Sequence, residues 1–575
     1  MNHKTILFAF FCCLFSLNLS ASTYYVATNG NDNSGNGSVG NPYKTLQHAL
    51  EVAVDNDIIE LRGGNYTSNE IRINQNNLTI RSYQGEWAII TAPTNVEDAT
   101  SCIWYHEPEI VGGTLERLEI VGGYYYGIKF ESNWDWDNTV PMAQRRGVSN
   151  VTIRNCKIHN TGRDCIKLAP AADNITIEGC EIYNSGIGPV NVADQNAEGI
   201  DCVNGDNLTV RNCYIHHTFS TGIYSKGGAI NTLIENNLVS NCGEGGIMLG
   251  FYTDEEWFDT QINPNLYESR GGTVRNNIVI NTQLEGIGMY AALDGKMYNN
   301  TIIDAAQTDH AALHISPGII WTEAANNDVY IPCRNIMVQN NIFVQSNNIT
   351  RPIASIRYMN DDINTNMQGT NIVNHNVYYR AAGVIFNDGI NWEDLSLAQW
   401  TSATGFDANS QNVNPNLDAN HHLNATSSCI NGATTIAGLT NDYDGNPRTN
   451  TPDIGADEYG AGANLSVPPP AGILGTGATV FTSIGYMPKS NTVLKSYPNP
   501  CNQKTVLNFD ISTPDNIAIQ LFDLKGSLVA VIYNGTLTAA TYQFEVNLTH
   551  LPTGIYTLQL QGSQLYGIQK IMVIK

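Results

Sequence analysis

Apolar and polar side chains alternate in a short segment that recurs through the middle of the chain. Alternation with a period of two, together with many β-branched residues, is typical of strands, whose successive side chains point to opposite faces. The copies follow one another at spacings of about 23 to 41 residues. They are Val151–Asn160, Ile175–Asn184, Leu208–His217, Leu233–Asn241, Thr273–Asn281, Lys296–Asp304 and Ile336–Val344. One copy cannot bury its inner face alone, so the pattern predicts a solenoid in which neighbouring coils cover each other.

Superposition of the copies places small side chains in one column. Three cysteines are followed by four asparagines, namely Cys156, Cys180, Cys213, Asn237, Asn277, Asn300 and Asn341. Stacked asparagines hydrogen-bond to the coils above and below, and a buried thiol behaves as a small apolar side chain. We therefore expect these cysteines to fill the core rather than to form disulfides, although export would permit disulfides.

A second strand in each coil begins with a Gly-Ile pair or its equivalent. The pairs are Gly127-Ile128, Cys165-Ile166, Gly199-Ile200, Gly222-Ile223, Gly246-Ile247 and Gly286-Ile287. If the isoleucines point inward, the residues that follow them point outward. That outward column is Lys129, Lys167, Asp201, Tyr224, Met248 and Gly288, with Lys226 two residues further along its strand. The pattern predicts an all-β protein, a right-handed parallel β-helix with charged residues side by side on one outer face.

The start of the repetitive region carries a segment that would close it. Thr23–Tyr66 resembles the entry segment of many secreted β-helix proteins. Within it, a short amphipathic helix is predicted from about Tyr43 to Val54. Such a helix would cover the open end of the core, which a solenoid needs for solubility. We assign residues 22–60 to this N-terminal cap.

The far end of the region also carries a closing signal. Asp442–Gly445, Arg448 and Asp453–Tyr459 resemble the motif that follows extracellular β-helices. We therefore assign residues 22–460 to the β-helix domain. The repeat fades over residues 345–440, where the pattern leaves open whether the coils continue.

Length, composition and charge narrow the classes of function. A chain of 575 residues is too long for one compact core and indicates two or three domains. Only 14% of the residues are charged, and 51 are Gly, which suits a turn-rich β protein. The formal net charge of −24 argues against nucleic acid as a partner. It also means that an acidic polysaccharide would need local Lys or Arg, or a bound cation, in order to approach.

The first residues predict export. Lys4 precedes an apolar run from Ile6 to Leu17, and Ala21 ends a small-residue cleavage site, so residues 1–21 are predicted to be a signal peptide. No later segment contains about 18 consecutive apolar residues, and no transmembrane segment is predicted. The ten cysteines outside the signal peptide form no CxxC pair, which argues against a zinc–thiolate site.

The last part of the chain predicts a separate small β-sandwich domain. The Pro- and Gly-rich stretch Val467–Gly477 lies in a predicted linker over residues 461–491, and the domain follows over residues 492–575. Its motifs are Tyr497–Pro500, Leu521–Gly526, Leu551–Tyr556 and Lys570–Lys575. In order and spacing they resemble the type A sorting domain of the type IX secretion system. The resemblance implies passage through the periplasm and outer membrane by that machinery, to secretion or cell-surface attachment, with the domain usually removed afterwards. The alternative is a generic β-sandwich adhesion module.

Three consecutive coils carry the residues that a polysaccharide lyase needs. A lyase removes a proton from the carbon next to a carboxylate, so it requires a cation beside that carboxylate and a base nearby. Asp164, Glu198 and Asp201 could gather oxygens around one Ca²⁺, a hard cation that prefers carboxylates. Lys226 would stand one coil further on, where a neighbouring cation favours the neutral amine that a base requires.

These coils resemble the family 9 polysaccharide lyases, which are calcium-dependent pectate lyases with a lysine base. Asp164 corresponds to the first aspartate of the family pattern, Glu198 to the second aspartate of its pair, and Asp201 to the final one. Ala197 replaces one family carboxylate, and Tyr224 stands where the family has its lysine, two places before Lys226. The resemblance implies a secreted, calcium-dependent lyase that cleaves a uronate-containing polysaccharide by β-elimination.

A resemblance to the family 6 alginate and chondroitin lyases is weaker. It rests on Ser225-Lys226 and on the turn at Asn236-Asn237. That family places an arginine one coil later, where this chain has Met248–Phe251. The family 9 resemblance therefore ranks first.

Other functions stay open at this point. Outward Asp and Lys residues are often only a solvated face with weak ion pairs, as in a non-catalytic, glycan-binding or adhesive surface protein. A glycoside hydrolase would need paired carboxylates, for which Glu198 and Asp201 are candidates. Further substrate contacts are proposed for Lys167, Tyr224 and Arg270, and a monomer is expected.

Three features near these coils have two interpretations each. The insertion Phe251–Arg270 is either a lid or sugar platform or a surface loop. Trp134 and Trp136 would either stack on sugar rings or pack within their loop. His310 and His314 are interpreted as turn or surface residues rather than ligands.

Overall fold

The computed structural model describes most of the chain. The described residues are 21–135, 137, 139–191, 196–322, 326–357, 367–389, 394–460, 490–491, 494–511, 514–522, 528–561 and 565–575. Residues 1–20 of the predicted signal peptide and most of the predicted linker lie outside them.

Three long parallel sheets form the main body, and successive coils add one strand to each. The first sheet contains, in order, Thr23–Val26, Ile58–Leu61, Leu78–Ser82, Val111–Glu116, Ser149–Arg154, Thr176–Glu178, Thr209–Arg211, Leu233–Glu235, Thr273–Arg275, Lys296–Tyr298, Met337–Gln339 and Ile372–Asn374. The second contains Ile71–Ile73, Ser101–Tyr105, Tyr126–Phe130, Ile166–Leu168, Ile200–Val203, Ile223–Lys226, Ile247–Leu249, Ile287–Tyr290, Leu313–Ser316, Ala354–Ile356 and Phe386–Asn387. The third contains Gly64–Thr67, Ala88–Ala92, Leu118–Gly122, Lys157–His159, Glu181–Tyr183, Tyr214–His216, Leu238–Ser240, Ile278–Ile280, Thr301–Ile303, Ile342–Val344, Val377–Tyr379 and Gln411–Asn412.

Shorter elements lie between these strands. A fourth parallel sheet contains Ala229–Ile230, Ser269–Arg270, Ala292–Leu293, Cys333–Arg334 and Met367–Gln368. An antiparallel hairpin pairs Gly318–Thr322 with Asn327–Ile331. The α-helices of the described residues are Leu46–Val52 and Leu397–Thr404, and short 3-10 turns occur at Met142–Gln144 and Glu255–Trp257.

Each sequence copy holds two strands, so a coil contains three strands rather than the two that the pattern indicated. In the first copy, Ser149–Arg154 belongs to the first sheet and Lys157–His159 to the third. Asn155 turns the chain between them with a φ of 54°. Asn tolerates this left-handed conformation better than most residues, because its short polar side chain hydrogen-bonds locally. The Asn that recurs in the copies therefore marks the corner between the two strands of each copy.

The interior columns predicted from the copies are confirmed. Asn277 donates from Nδ2 to the carbonyl oxygens of Ile234 and Arg275, each at 2.9 Å, and to Oδ1 of Asn300 at 3.0 Å. The stack continues through Asn341 to Asn376. The cysteines among the described residues are buried and free, so the prediction that they fill the core holds for this part of the chain.

The outer face of the first sheet carries a column of alternating charge. Its members, in order along the axis, are Glu60, Arg81, Glu116, Arg154, Glu178, Arg211, Glu235 and Arg275. Ion pairs join neighbours at 2.7 Å for Arg81 with Glu60 and 2.6 Å for Arg211 with Glu178. Opposite charges directly across a strand pair add roughly 0.2–1 kcal/mol each. A slip of one residue would turn these side chains inward, so the column favours the observed register.

The N-terminal helix covers the first coils, as predicted, but it is shorter. It runs over Leu46–Val52, because Thr45 caps its N-terminus by accepting a hydrogen bond from the amide of His48. Leu46, Ala49 and Leu50 are buried in the core. An exposed opposite face and a buried apolar face make this the capping element of the solenoid.

The coils continue into the region where the repeat fades and then stop at Gln411–Asn412. The following chain returns along the side of the coils. Asn236 donates from Nδ2 to the carbonyl oxygens of Asp442 and Tyr443, both at 2.9 Å. Tyr443 and Ala456 also pack against apolar residues of the third sheet, such as Ile278. The segment that resembles a closing motif thus covers the outer face of that sheet.

The C-terminal residues form two sheets. One contains Ser490–Asn491, Leu565–Val573, Gly554–Gln561, Asp515–Phe522 and Leu528–Leu537, and the other contains Lys495–Tyr497, Lys504–Ile511 and Ala540–Asn547. Their apolar side chains share one core. Asn499, from the first motif, donates from Nδ2 to the carbonyl of Lys570 at 2.6 Å and accepts from the amide of Met572 at 2.9 Å. The first and last motifs therefore meet in one domain.

Candidate functional site

The outward column of the second sheet has the predicted register. Lys129 lies opposite Lys167, Lys167 opposite Asp201, and Asp201 opposite Tyr224. Met248 and Gly288 continue the column. The isoleucines before these residues point into the core and are fully buried, which fixes the direction of the outward side chains.

Asp164, Glu198 and Asp201 converge on one point, and we call these three residues the acidic trio. Each offers an oxygen that lies within 4.8 Å of an oxygen of the other two. Asp164 and Glu198 stand at equivalent turns just before successive strands of the second sheet, whereas Asp201 is on the strand that follows Glu198. All three are at least 98% buried. The fold thus brings together the three carboxylates predicted as metal ligands.

Several donors hold the acidic trio in place. The amide of Glu198 donates to Oδ1 of Asp164 at 3.1 Å, and the hydroxyl of Ser220 donates to Oε1 of Glu198 at 2.9 Å. The Asn196 amide, with its nitrogen facing Glu198, donates to Oε1 at 2.6 Å. These contacts set the direction of the carboxylates before any ligand arrives.

Two oxygens of the acidic trio accept no hydrogen bond from any residue that the structure describes. They are Oδ2 of Asp164 and Oδ1 of Asp201, both buried. Buried polar atoms normally have partners, so unpartnered carboxylate oxygens that converge call for a cation. A hard divalent cation with oxygen ligands fits this donor set. The acidic trio is therefore a candidate metal centre.

The electrostatics of the trio agree with this assignment. Burial and the charges of Glu198 and Asp201 raise the pKa of Asp164 well above its usual value. Burial and Asp201 also raise the pKa of Glu198. Burial acts the same way on Asp201, but Lys167 and then Lys226 outweigh it and lower the pKa of Asp201. Without a cation, two of the three carboxyl groups are thus biased toward the protonated form.

Lys167 is a counter-ion of the trio, and its role in substrate contact stays a prediction. Its Nζ donates to Oδ2 of Asp201 in a short, largely buried ion pair. Burial would lower the pKa of Lys167, but the charge of Asp201 raises it above its usual value. Arg163, which lies 3.7 Å from Oδ1 of Asp164, adds a second positive charge.

Lys226 lies one coil beyond Asp201 and faces outward, as expected from the pattern. Its Nζ donates to the carbonyl of Tyr252 at 3.2 Å and lies 4.5 Å from the ring centre of Tyr224. Within the described part of the chain, no carboxylate lies within ion-pair distance of Lys226. Tyr224 is buried below it, with the ring of Phe251 stacked at 6.1 Å. Lys226 is therefore the accessible cation of this group, and the ring of Tyr224 lies beneath its amine.

Arg270 is not brought to the trio. It belongs to the fourth sheet, where its guanidinium donates to the carbonyl oxygens of Gly228 and Ile262 at 2.9 and 3.0 Å. The charges that act on it come from Asp206 and Asp259. A role for Arg270 in substrate contact stays a prediction.

The two insertions near the site pack on each other. Nε1 of Trp134 donates to the carbonyl of Glu256 at 2.9 Å, and Arg145 lies 4.3 Å above the Trp134 ring. Trp134 is buried, which favours the packed-loop interpretation; Trp136 lies outside the described residues. Phe251 and Tyr252, at the start of the second insertion, border Lys226.

A second group of metal-ligating side chains is already engaged. His422, Asp444 and Asp457 also converge within 4.8 Å. However, Nε2 of His422 contacts Oδ2 of Asp444 at 2.7 Å, and Oδ2 of Asp457 accepts from the amide of Leu423 at 2.7 Å. Both contacts tie the returning C-terminal segment to itself, so a structural role accounts for this group.

The sequence pattern missed the donors that complete the trio. Arg163 precedes Asp164 and could have been included from its position alone. Asn196 lies in the same turn as Glu198, two residues before it, so it too could have been included from its position. Ser220 comes from the next coil, and its contact with Glu198 follows only from the stacking of the coils.

Two regions of the chain match known family models. Residues 121–261 match the right handed beta helix region, and residues 495–575 match the secretion system C-terminal sorting domain. The main body is a right-handed parallel β-helix. The sorting domain indicates export, with secretion or attachment at the cell surface. No helix in the described part of the chain is long and apolar enough to span a membrane.

Solved structures with a similar fold have low sequence identity to this chain. Pectate lyase Pel9A is 15% identical, with 77% of this chain and 97% of that chain covered and a TM-score of 0.41. A rhamnogalacturonan lyase is 13% identical, with coverage of 61% and 84% and a TM-score of 0.41. The A-module of mannuronan C-5 epimerase AlgE4 from Azotobacter vinelandii is 14% identical, with coverage of 64% and 95% and a TM-score of 0.41. No curated protein matches the sequence.

Proposed function

We propose that this protein is a secreted, calcium-dependent lyase that cleaves a uronate-containing polysaccharide by β-elimination. One observation carries the proposal. Three buried carboxylates converge within 4.8 Å, two of their oxygens lack partners among the described residues, and a lysine with no acidic partner among those residues stands one coil away. A cation site beside a free amine is the combination that proton abstraction next to a carboxylate requires.

Asp164, Glu198 and Asp201 would hold the Ca²⁺. When bound, the ion would polarise the uronate carboxylate and so acidify the neighbouring carbon–hydrogen bond. The trio itself is shielded from water, which strengthens its electrostatic interactions. Ser220 and Asn196 keep Glu198 aimed at the centre.

Lys226 would act as the base. Elimination removes the proton from the carbon next to the carboxylate and breaks the β carbon–oxygen bond; a carbon–carbon double bond forms, and the leaving oxygen gains a proton. The carbonyl of Tyr252 accepts one amine hydrogen of Lys226 and so fixes the direction of the nitrogen. The rings of Tyr224 and Phe251 border the amine and limit its access to water.

A hydrolase is less well supported by this geometry. Retaining glycosidases separate their two carboxyl groups by about 5–5.5 Å, and inverting ones by more, so that the pair flanks the scissile bond. The candidate pair, Glu198 and Asp201, has oxygens within 4.8 Å of each other, and both side chains are at least 98% buried. A buried pair at this spacing suits a shared cation better than a sugar bond lying between two carboxyl groups.

The test is ultraviolet absorbance of the mature protein incubated with a panel of uronate polysaccharides, in calcium and in chelator. An unsaturated uronate product absorbs, so we expect a calcium-dependent rise. Lys226→Ala should reduce the rate by about 10²–10⁴-fold, the usual contribution of a general base. Lys296→Ala, which removes an exposed lysine of the first sheet, should leave the rate unchanged.

Two outcomes would contradict the lyase. New reducing ends without absorbance would indicate a glycoside hydrolase. Binding of a glycan without any cleavage would indicate a non-catalytic, glycan-binding surface protein.

A further inference from the structure

A second group of polar side chains lies on the same outer face, beyond Lys226. Glu285 stands at the turn equivalent to those of Asp164 and Glu198, and His314 continues the outward column after Gly288. The sequence signal was present, since Glu285-Gly286-Ile287 repeats the pattern of Glu198-Gly199-Ile200. His314 is a buried strand residue, so its interpretation as a turn or surface residue is wrong.

Glu285 orients His310. Oε2 of Glu285 contacts Nδ1 of His310 at 2.6 Å, and the hydroxyl of Tyr290 donates to Oε1 of Glu285 at 2.6 Å. Gly288 makes this possible, because a Cβ there would lie 3.1 Å from Cγ of Glu285 and 3.3 Å from the Tyr290 ring. With Nδ1 engaged by a buried carboxylate, the Nε2 edge of His310 is left for another partner. The His310 side chain is 24% exposed, so that edge is reachable.

His314 contributes an unsatisfied group. Its Nδ1 contacts the hydroxyl of Ser355 at 2.7 Å, whereas Nε2 is buried and has no hydrogen-bond partner among the described residues. The rings of His310 and His314 stack in parallel, with centres 4.5 Å apart. Burial lowers the pKa of His314 to about 3, so this ring is neutral and can donate from Nε2. A buried donor without a partner is costly, and a ligand would relieve the cost.

Arg357 supplies a charge to this group, because its amide donates to the carbonyl of Ile315 at 2.8 Å and so places it beside the strand that carries His314. Arg357 also links the group to Lys226. Its Nη1 donates to the hydroxyl of Tyr252 at 3.1 Å, and the carbonyl of the same Tyr252 accepts from Lys226 at 3.2 Å. No carboxylate of the described residues pairs with Arg357. A partly buried guanidinium without an acidic partner is well suited to a planar carboxylate.

The two groups are separated by whole coils. Lys226 lies on the strand Ile223–Lys226 and His314 on Leu313–Ser316, which is three strands further along the second sheet. At about 4.8 Å per strand, the separation along the axis is roughly 14 Å. One extended glycan could therefore contact both groups.

We propose that Arg357, His310 and His314 form a carboxylate-binding subsite for a second acidic sugar of the same glycan chain. This inference rests on the proposed function, because it assumes an acidic glycan as the ligand. Arg357 and protonated His310 would contribute charge-assisted hydrogen bonds, and His314 a neutral one. The subsite also answers how a protein with a net charge of −24 holds a polyanion, since Lys226 and Arg357, which have no acidic partner among the described residues, lie along this face.

The subsite depends on pH through His310. Burial opposes the charged form, but the hydrogen bond and charge of Glu285 outweigh burial and raise the pKa of His310 above 6.5. Other ionisable groups act on His310 or on its partner Glu285: Glu244, Asp309, His314 and Arg357. A raised pKa means that the charged form is complete at acidic pH and is lost as pH rises through the folded value. Carboxylate binding should weaken over that range.

The test is calorimetric binding of oligogalacturonate, oligomannuronate and oligoglucuronate to the full chain carrying Lys226→Ala, which prevents turnover. Neutral cello-oligosaccharide is the probe for binding without charge. Arg357→Ala should weaken binding of the preferred acidic oligosaccharide by about 10- to 100-fold, and Arg357→Lys by less. Arg334→Ala, on an exposed arginine of the fourth sheet, should not change the affinity. Thermal unfolding of each variant checks that the coils remain intact.

The failure of this inference differs from that of the lyase. If Arg357→Ala and His310→Gln bind acidic oligosaccharide as tightly as their parent, the subsite is overturned whatever the activity. The same holds if the neutral oligosaccharide binds equally well or if no acidic one binds at all. If elimination is absent while Arg357→Ala still lowers affinity, the lyase is overturned and the subsite stands.

Discussion

Lys167 gives a sharp test of the metal centre, because it occupies the position of a competing cation. Its ammonium pairs with Asp201, whose side chain is 1% exposed, while the Lys167 side chain is 16% exposed. Lys167→Met keeps the length and apolar stem of the side chain but removes the charge. Among the described residues, Arg163 and Lys226 would then be the remaining positive charges that act on Asp201.

The expected effect has two parts. Removing one partner of a buried ion pair costs about 3–5 kcal/mol, since the other charge is left without compensation. For a domain of this size a loss of 1 kcal/mol lowers Tm by roughly 2 °C or less, so in chelator we expect a fall of at most about 6–10 °C. Calcium should return much of it, because saturation at 100 times Kd contributes about 2.7 kcal/mol. The calcium-induced rise in Tm should be larger in Lys167→Met than in the unaltered protein.

Differential scanning calorimetry in chelator and in calcium measures both parts. Lys129→Met is the matched control, since Lys129 occupies the same column one coil earlier and pairs with the more exposed Glu131. That change should cost less than about 1 kcal/mol and leave the calcium response unaltered. If Lys167→Met lowers Tm but neither protein responds to calcium, the trio is a structural ion-pair group and the reasoning is refuted.

Three further predictions concern other parts of the molecule. The raised pKa values of Asp164 and Glu198 mean that their stabilising contribution is complete below about pH 4 and is lost as pH rises. The calcium-induced rise in Tm should therefore grow from pH 5 to about pH 8. An equal rise at both pH values would contradict the assignment of the metal centre. Burial raises the pKa of Cys102 to about 12, and the other described cysteines are buried too. A thiol reagent should therefore modify few or none of the ten cysteines of the full chain without its signal peptide until a denaturant unfolds it. Fewer than ten reactive thiols after unfolding would reveal a disulfide. Asn277→Ala should lower the free energy of unfolding, measured by denaturant titration, by roughly 2–6 kcal/mol, because two carbonyl groups lose their donor. The exposed control Asn65→Ala should cost less than about 1 kcal/mol in the same titration.

The candidate site was predictable where it lies on the strand pattern. Lys167, Asp201 and Tyr224 follow inward isoleucines, so their outward direction and shared column follow from a period of two. The Ser220 donor to Glu198 was not predictable, because it comes from the next coil and turn lengths differ from coil to coil. Glu285 carries the same Glu-Gly-Ile pattern, but it lies beyond the three consecutive coils that resemble the family 9 lyases.

Which charged side chains form ion pairs depends on contacts between coils, and these contacts cannot be read from the order of residues along the chain. The sequence pattern places both Lys167 and Lys226 on the outer face close to Asp201. Lys167 forms a largely buried ion pair with Asp201, whereas Lys226 has no acidic partner among the described residues. The difference arises because Lys167 lies directly opposite Asp201, whereas Lys226 lies opposite Val203. Two positions along the strand therefore separate a counter-ion from a candidate base.

By itself, the sequence determined the solenoid, its interior columns, the outward column and the sorting domain. These features depend on local alternation and on a repeated length, both of which are properties of the chain read in order. The tertiary structure decided that each copy bends into two strands, which oxygens of the acidic trio lack partners and how Tyr252 joins Lys226 to Arg357. Those facts depend on how turns of unequal length stack, and side chains that are more than 100 residues apart meet only after the coils have closed.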